Sequence, residues 1–447
     1  MLTLAVSTVT PARATADGGP RLQVKTGREL RRGGGRRTIR PGLRRSGFAG
    51  PYRGRLTGVD DVWDLVIVGG GPAGSAAALR AKQLRPAARV LLLDKADFPR
   101  DKACGDGVAA HGRDELALLG VPDLIADYRP TRRLEVVSPG GARVRATVAR
   151  PNHVVPRTVF DARLVDAARA RGVEVRRHRV RALAAHDGHI VVDGSFAARA
   201  VVAADGANST VRRLIGVPAS PARHTAIAVR GYADVPADDD VQFIAMQKDG
   251  WPAYAWSFPI GDGTANVGFG MLLPRLHATG LPGREVLHGR LAELLPHLPA
   301  RDLRAHHLPL SPGRPRPGAG RVMLAGDAAG LVNPLTGEGI YYALVSGRLA
   351  GEAAVQAAGD PLPAYRRALR KALGRHLRTT DVLARAAQSP GFIDAAIDTA
   401  GRRQEVFDLL VDVGLGAGTV PLRLGCAVLG RWILNGVRRG EEAPLPR

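Results

Sequence analysis

Two cysteines, Cys104 and Cys426, are all that 447 residues carry. That is too few for a disulfide framework and fits a reduced, cytoplasmic setting. Long hydrophobic runs are missing too. No stretch of about eighteen residues is free of charge and dominated by apolar side chains, which excludes a transmembrane helix. Aromatic residues make up 4% of the chain, and no stacking pattern accompanies the arginines that supply nearly all its positive charge. This weighs against a nucleic-acid groove in spite of a formal charge of +23. Residues 1–59 hold thirteen Arg/Lys and two Asp/Glu, so +11 of that charge sits in the tail. Metal-ligand spacings are also lacking: His306-His307 has no cysteine or carboxylate beside it, so we expect a surface or loop role and no metal. No Ser/His/Asp order suggests a nucleophile elbow, and no internal repeat stands out.

What the chain does have is Asp64 to Gly74, DLVIVGGGPAG, with Asp94 twenty residues on. Leu65–Val68 is too short for a helix and suits a strand buried on both faces. The glycines fall as Gly69-x-Gly71-x-x-Gly74, with Pro72 and Ala73 between them, and an Ala-rich helical stretch follows. A second apolar run ends in Asp94-Lys95. This is one βαβ unit with a diphosphate site: Gly69 for the turn, Gly71 for backbone approach, Gly74 for helix–strand packing, and a helix N-terminus facing the phosphates. Asp94 suits a ribose hydroxyl and disfavours a 2′-phosphate. FAD and NAD both remain open at this point.

Residues 1–59 read as a disordered Arg/Gly-rich tail, with the functional chain expected to begin near Val59. FPRDKACGDGV, 98–108, is glycine-broken and charged, a loop at the ligand edge of the sheet. Helices are expected at Arg113–Leu119, Leu124–Tyr128 and Phe160–Arg171, the last preceded by Arg157. Strands are expected at 134–137 and 143–148, at Val173–Val175, in a hairpin turning at Asp187-Gly188, and at Ala200–Ala204, which delivers Asp205-Gly206. From Thr225 to Leu273 the pattern is of short alternating strands. Leu281–Pro299 looks helical. Arg321–Leu324 is another buried strand leading to Gly326-Asp327, and Thr336–Gly339 opens a long helix. Pro363–Gln388 and Gln404–Gly440 are mainly helical.

Three strand-terminal acid–glycine sites together resemble the FAD fold of the p-hydroxybenzoate hydroxylase-like flavoproteins. Within that group the chain is similar to the geranylgeranyl reductase family. The residues that carry this are FPRDKACGDG (98–107), PAYAWSFPIGDGTANVGFG (252–270) and LAGDAAGLVNPLTGEGIYYALVSG (324–347). The resemblance implies an α/β fold: a Rossmann-like three-layer FAD-binding domain (60–130, 155–222, 305–360), an inserted mostly antiparallel substrate domain (131–154, 223–304) and a helical C-terminal region (361–447). It assigns Gly69, Gly71, Pro72, Ala73, Gly74, Asp94 and Lys95 to the ADP half of FAD, and Asp205 and Gly206 to the diphosphate side. Gly326 and Asp327 fall to the ribityl chain, and Pro334 with Gly337, Gly339 and Ile340 to the loop facing the flavin ring. Lys102, Cys104, Gly105 and Arg157 also contact the cofactor in this reading. For each acid taken alone, a helix cap is the plainer use.

Cys104 has two readings, an active-site thiol that shapes the flavin environment or helps protonate the reduced carbon, or a small apolar filler. Tyr254, Trp256 and Phe258 alternate on a strand and share one face, either of a core or of an apolar channel presenting an isoprenoid double bond. Tyr254 and Trp256 are the further catalytic candidates; with Phe258 and Pro334 they are the substrate candidates. The expected activity is FAD-dependent saturation of isoprenoid C=C bonds in a prenyl lipid, quinone or related precursor. Rivals are a flavin monooxygenase or halogenase of the same fold and a tail-mediated nucleic-acid binder. The electron donor is open among NAD(P)H docking transiently, since there is no second GxGxxG, and ferredoxin, deazaflavin or quinol. Val420–Arg439 is either an interfacial helix at a membrane surface or a helix packed on the body.

Overall fold

A computed structural model describes residues 62–186 and 188–441, with side chains as far as 435. The expected disordered tail and Asp187 of the predicted hairpin turn lie outside the described residues. The βαβ unit forms as its pattern demands. Leu65–Val68 (β1) is buried at every position, Pro72–Leu84 (α1) starts with proline in its first turn, and Val90–Asp94 (β2) lies parallel to β1. Gly69 has φ +103°, and a Cβ there would stand 2.3 Å from the Ala204 carbonyl oxygen; one at Gly74 would stand 1.8 Å from that of Gly69. Neither position admits a side chain.

The chain continues through Gly107–Val108 (β3), Ala110–Leu118 (α2), Thr131–Val137 (β4), Arg143–Val154 (β5), Arg157–Ala170 (α3) and Glu174–Arg177 (β6). A three-stranded meander follows, Leu183–His186 (β7), His189–Val192 (β8) and Phe196–Ala198 (β9), then Val201–Ala203 (β10) and Thr210–Leu214 (α4). Next come Thr225–Asp234 (β11), Val241–Met246 (β12), Ala253–Pro259 (β13) and Thr264–Leu272 (β14), with Leu273–Ala278 (α5), Gly283–Leu294 (α6) and Arg301–Pro309 (β15). Gly318–Ala319 (β16), Val322–Leu324 (β17) and Ile340–Gln356 (α7) return to the first sheet, and Leu362–Ala386 (α8), Pro390–Arg402 (α9), Gln404–Leu415 (α10) and Leu422–Glu441 (α11) end the described chain.

Two large sheets result. The first runs β16-β17-β10-β1-β2-β6, parallel except for the β16 edge; α1 and α7 share its core with the β7-β8-β9 meander. These are the three expected layers. The second sheet runs β15-β11-β14-β13-β12-β4-β5-β3 and is antiparallel except for β12 against β4. Its β11–β14 region packs on α5 and α6, and its β4–β5 edge on α9, α10 and α11. Helix α8 joins the first core instead, through Leu362, Tyr365, Leu369, Leu373 and Leu377.

One predicted helix does not form. Leu124–Tyr128 is a run of turns, confined between Pro122 and Pro130, which leave too little chain to repay a helical nucleus.

Candidate active site

An apolar cavity of about 1290 Å³ lies between the two sheets and the C-terminal helices. The ends of several elements meet there. Pro72 comes from α1, Lys102 to Gly105 from the loop after β2, Arg157 from α3, and Tyr254, Trp256 and Phe258 from β13. Asp327 follows β17, and Pro334 to Ile340 lead into α7. The aromatic face of β13 is therefore a cavity wall, while Ala253 and Ala255 on its other face enter the core against α6. Helices α9, α10 and α11 close the far side with Phe392, Ile397, Phe407, Leu410, Leu424 and Val428.

Hydrogen bonds fix the aromatic wall. The Trp256 indole donates to Asn266 Oδ1 at 2.9 Å, and Asn266 Nδ2 donates to the Cys104 carbonyl at 2.9 Å and to Asp106 Oδ2 at 2.8 Å. Asp106 has φ +58°, is fully buried, and also accepts from Tyr232 Oη at 2.8 Å. Burial pushes its carboxyl up to about 6 against the pull of Arg230. The cysteine loop is thus tied to the strand bearing Trp256 through one asparagine. Burial likewise pushes the Cys104 thiol up, although Arg157 opposes it, so the group is a neutral S–H at neutral pH. Tyr254 donates through its hydroxyl to the Thr336 carbonyl, joining the aromatic wall to the loop before α7.

A cationic patch surrounds the glycine turn. A Cβ on Gly71 would lie 3.6 Å from Arg100 Nη2 and 3.7 Å from Arg157 Nη2. Arg157 is buried and bidentate on Asp161, both contacts at 2.7 Å. Burial works against its charge, but Asp161 keeps it cationic. Lys102 Nζ lies 3.0 Å from Asp327 Oδ2. Burial opposes ionisation of Asp327, yet Lys102, with His306 and Arg157, holds it below the usual carboxylate range.

These residues fit FAD. The N-terminus of α1 has no side-chain cap and opens beside two guanidinium groups, which suits a diphosphate. His306 Nε2 is buried, has no hydrogen-bond partner and stands 4.0 Å from Asp327 Oδ2 in the cavity wall, an orphaned polar atom that a bound ligand would satisfy. His306 is on strand β15, where a surface or loop position was expected. Burial lowers it to about 4, so it is neutral. Among the described residues no His/Cys/Asp/Glu group could hold a metal ion.

Several predicted cofactor residues stand apart from the cavity wall. Asp94 accepts from Gly70 N–H on Oδ2 at 2.7 Å and from Ala96 N–H on Oδ1 at 2.9 Å, bracing the glycine turn. Asp205 caps α4, accepting from Ser209 Oγ, from Thr210 N–H at 2.7 Å and from Val211 N–H at 3.1 Å; this is the plainer use foreseen for such an acid. Lys95 opens on a separate basic groove with Arg177, Arg179 and Arg181. Arg100, His306 and Glu338 are site residues not singled out from the sequence; Arg100 lies inside the FPRDKACGDG stretch and Glu338 inside the Pro334–Gly339 loop, whereas nothing in the pattern marked His306 for the site. Glu338 lines the cavity and places Oε1 2.8 Å from Tyr341 N–H, at the first turn of α7. Burial pushes it up to about 7.

Known proteins resemble the chain in sequence and in fold. A family model described as "FAD binding domain" matches residues 63–270. The chain is 34% identical over 327 residues to the menaquinone reductase of Mycobacterium tuberculosis, covering 66% of this chain and 77% of that protein. It is 32% identical over 316 residues to digeranylgeranylglycerophospholipid reductase 2 of Methanopyrus kandleri, covering 66% and 77%. Among solved structures, a geranylgeranyl bacteriochlorophyll reductase-like protein from Thermoplasma acidophilum superposes with a TM-score of 0.68 at 20% identity, covering 86% of this chain and 99% of that one. A flavin-dependent brominase gives 0.65 at 20% identity, covering 85% and 100%. These two share the fold.

Proposed function

From its membership of the geranylgeranyl reductase family of FAD-dependent oxidoreductases, we propose that the chain saturates C=C bonds in the isoprenoid part of a prenyl lipid, quinone or related precursor. The observation that carries this reading is the cavity itself: an apolar chamber, walled by Tyr254, Trp256 and Phe258 and by α9–α11, that adjoins the FAD-binding residues. When bound and reduced, FAD supplies the hydride. The chain supplies everything else.

Gly69, Gly71 and Gly74 with the α1 N-terminus would hold the diphosphate, with Arg100 and Arg157 balancing its charge. Asp94 keeps the glycine turn in shape. Asp327, kept ionised by Lys102, would accept hydrogen bonds from ribityl hydroxyls, and the loop Pro334–Gly339 would meet the ring. The aromatic wall orients an isoprene unit and excludes water. Because an isolated alkene accepts hydride poorly, a proton must be held ready beside it. The neutral Cys104 thiol is the group we assign to that task, with its Sγ as the proton's holding point.

The test is anaerobic turnover of a menaquinone and of a geranylgeranylated lipid with dithionite as reductant, read by mass. A two-hydrogen gain per bond that remains after the quinone ring is reoxidised, or that appears in the lipid, supports the reductase. Product that forms only with oxygen, or with halide and oxygen, places the chain instead with the monooxygenases and halogenases that share its fold.

A further inference from the structure

Helix α11 is apolar on two sides. Leu424 and Val428 face inward and join the core that packs on β4 and β5. On the outside, Leu422, Cys426, Leu429 and Ile433 follow one another at i, i+4, i+7 and i+11, a single stripe along the helix, and all four are exposed. Leu422 is 84% exposed, Ile433 57% and the adjoining Leu434 58%. Trp432, also exposed, lies edge-on to Phe392 at 5.8 Å, and Phe392 is a cavity-wall residue. An exposed apolar stripe along a helix that already packs its inner face normally marks a surface that something covers. Among the described residues none covers this stripe.

The cavity says what does. Leu429 belongs both to this stripe and to the cavity wall, and the half-buried Val420 and Gly425 also line the cavity, so the stripe meets the lining of an apolar chamber. Whatever sits on the stripe is thus in contact with the route into that chamber. The helix also carries Arg423, exposed and in no ion pair among the described residues, and Arg438 and Arg439 follow in sequence. No helix among the described residues is long and apolar enough to cross a membrane. An interfacial helix needs only an apolar face, basic flanks and an aromatic residue at the boundary. We propose that the outer face of α11 docks on the surface of an anionic lipid bilayer and that an apolar substrate passes from the bilayer along α11 into the cavity. This rests on the prenyl-reductase reading for the substrate's identity, but not for the docking itself.

The experiment uses the full chain with FAD and vesicles of phosphatidylcholine containing phosphatidylglycerol. Flotation is measured for the wild type and for Leu422→Gln/Ile433→Gln/Leu434→Gln, three residues outside the cavity wall. We expect the wild type to float and the variant to lose about tenfold or more in vesicle partition. We further expect the variant to reduce a detergent-dispersed prenyl substrate within about twofold of the wild-type rate, but to reduce the same substrate supplied in vesicles about tenfold more slowly. A wild type that stays with the soluble fraction overturns the proposal, as does a variant that floats equally well. So does a gel-filtration dimer that the variant splits with no change in flotation, which would make a second copy the true cover. Flotation without turnover of either substrate form overturns the reductase reading alone, whereas turnover of dispersed substrate without flotation overturns only the docking.

Discussion

The ammonium of Lys102 lies 3.0 Å from Oδ2 of Asp327, an ion pair that joins segments 225 residues apart at the wall of one cavity. The sheet that holds β2 and β17 fixes where the two segments end, and this pair closes the gap between the loop after β2 and the turn after β17. Both partners are at most about a quarter exposed, which keeps the pair useful but modest. We expect Lys102→Met to weaken FAD binding about fivefold by leaving a buried carboxylate without its cation. Combining it with Asp327→Asn should give a coupling energy of about 1 kcal/mol in a double-mutant cycle, read by flavin fluorescence titration of the apoprotein.

Cys104 gives the second prediction. Its thiol is held neutral by burial, its carbonyl is tied to Asn266, and it lines the cavity beside Trp256. Replacing it with alanine removes a proton and little volume. Turnover of Cys104→Ala should fall by about a hundredfold, within the range of lost acid–base catalysis, while the FAD dissociation constant stays within about twofold. Full turnover in the alanine variant would reduce Cys104 to a space filler.

A third prediction concerns the scaffold. Gly347 and Gly351 of α7 lie against Ala73 and Ala77 of α1, and a Cβ on either glycine would stand 2.0 or 2.2 Å from a backbone carbonyl oxygen. The two helices touch through backbone because both present their smallest residues four apart. Gly347→Ala must push α1 off α7, and with it the glycine turn proposed to hold the diphosphate. We expect a loss of about 3 kcal/mol in stability, seen as a lowered melting temperature, together with weakened FAD binding. Gly289→Ala in α6 is the control. Nothing lies within 4 Å of its Cβ, so it should stabilise by about 0.5–1 kcal/mol.

These positions show what the sequence could and could not convey. The β1–α1–β2 unit, the Asp327 turn and the start of α7 were legible because each is a short apolar strand feeding a glycine turn, a pattern closed within about thirty residues. The alternation of Tyr254, Trp256 and Phe258 put them on one face, but only the packing of Ala253 and Ala255 against α6 decided that the face is a cavity wall. His306 was invisible because its role depends on which strand β15 pairs with. It pairs with β11, a partner more than seventy residues away, and local pattern carries no such information. The same holds for the C-terminal helices: α10 and α11 fall within the expected helical stretch 404–440, but α9 was not foreseen, nor that the three together complete the chamber. Asp205 shows a different limit: an acid before Gly-x-x-Ser suits a ligand or the helix that follows, and its oxygens here accept from Ser209 and from the N–H groups of α4.

Glu338 makes the site's behaviour depend on pH. Its carboxyl sits at the N-terminus of α7, accepts from Tyr341 N–H, and is pushed by burial from an ordinary 4.5 up to about 7. Since the folded pKa lies above the unfolded one, its contribution to stability is fully present below about 4.5 and is lost as pH rises through about 7. The same titration bears on the cofactor. Below pH 7 the protonated side chain holds the helix N–H groups weakly, and they are free to meet an electron-rich ring edge. Above it a carboxylate competes for those N–H groups and repels negative charge. FAD affinity should therefore fall by about fivefold to tenfold between pH 6 and pH 8, a loss on the scale of one helix-terminus charge. Glu338→Gln should flatten that profile at the tight-binding end, measured by fluorescence titration at each pH. A wild-type profile without a step near pH 7, or an equal step in Glu338→Gln, would assign the dependence to another group and leave Glu338 as a helix cap alone.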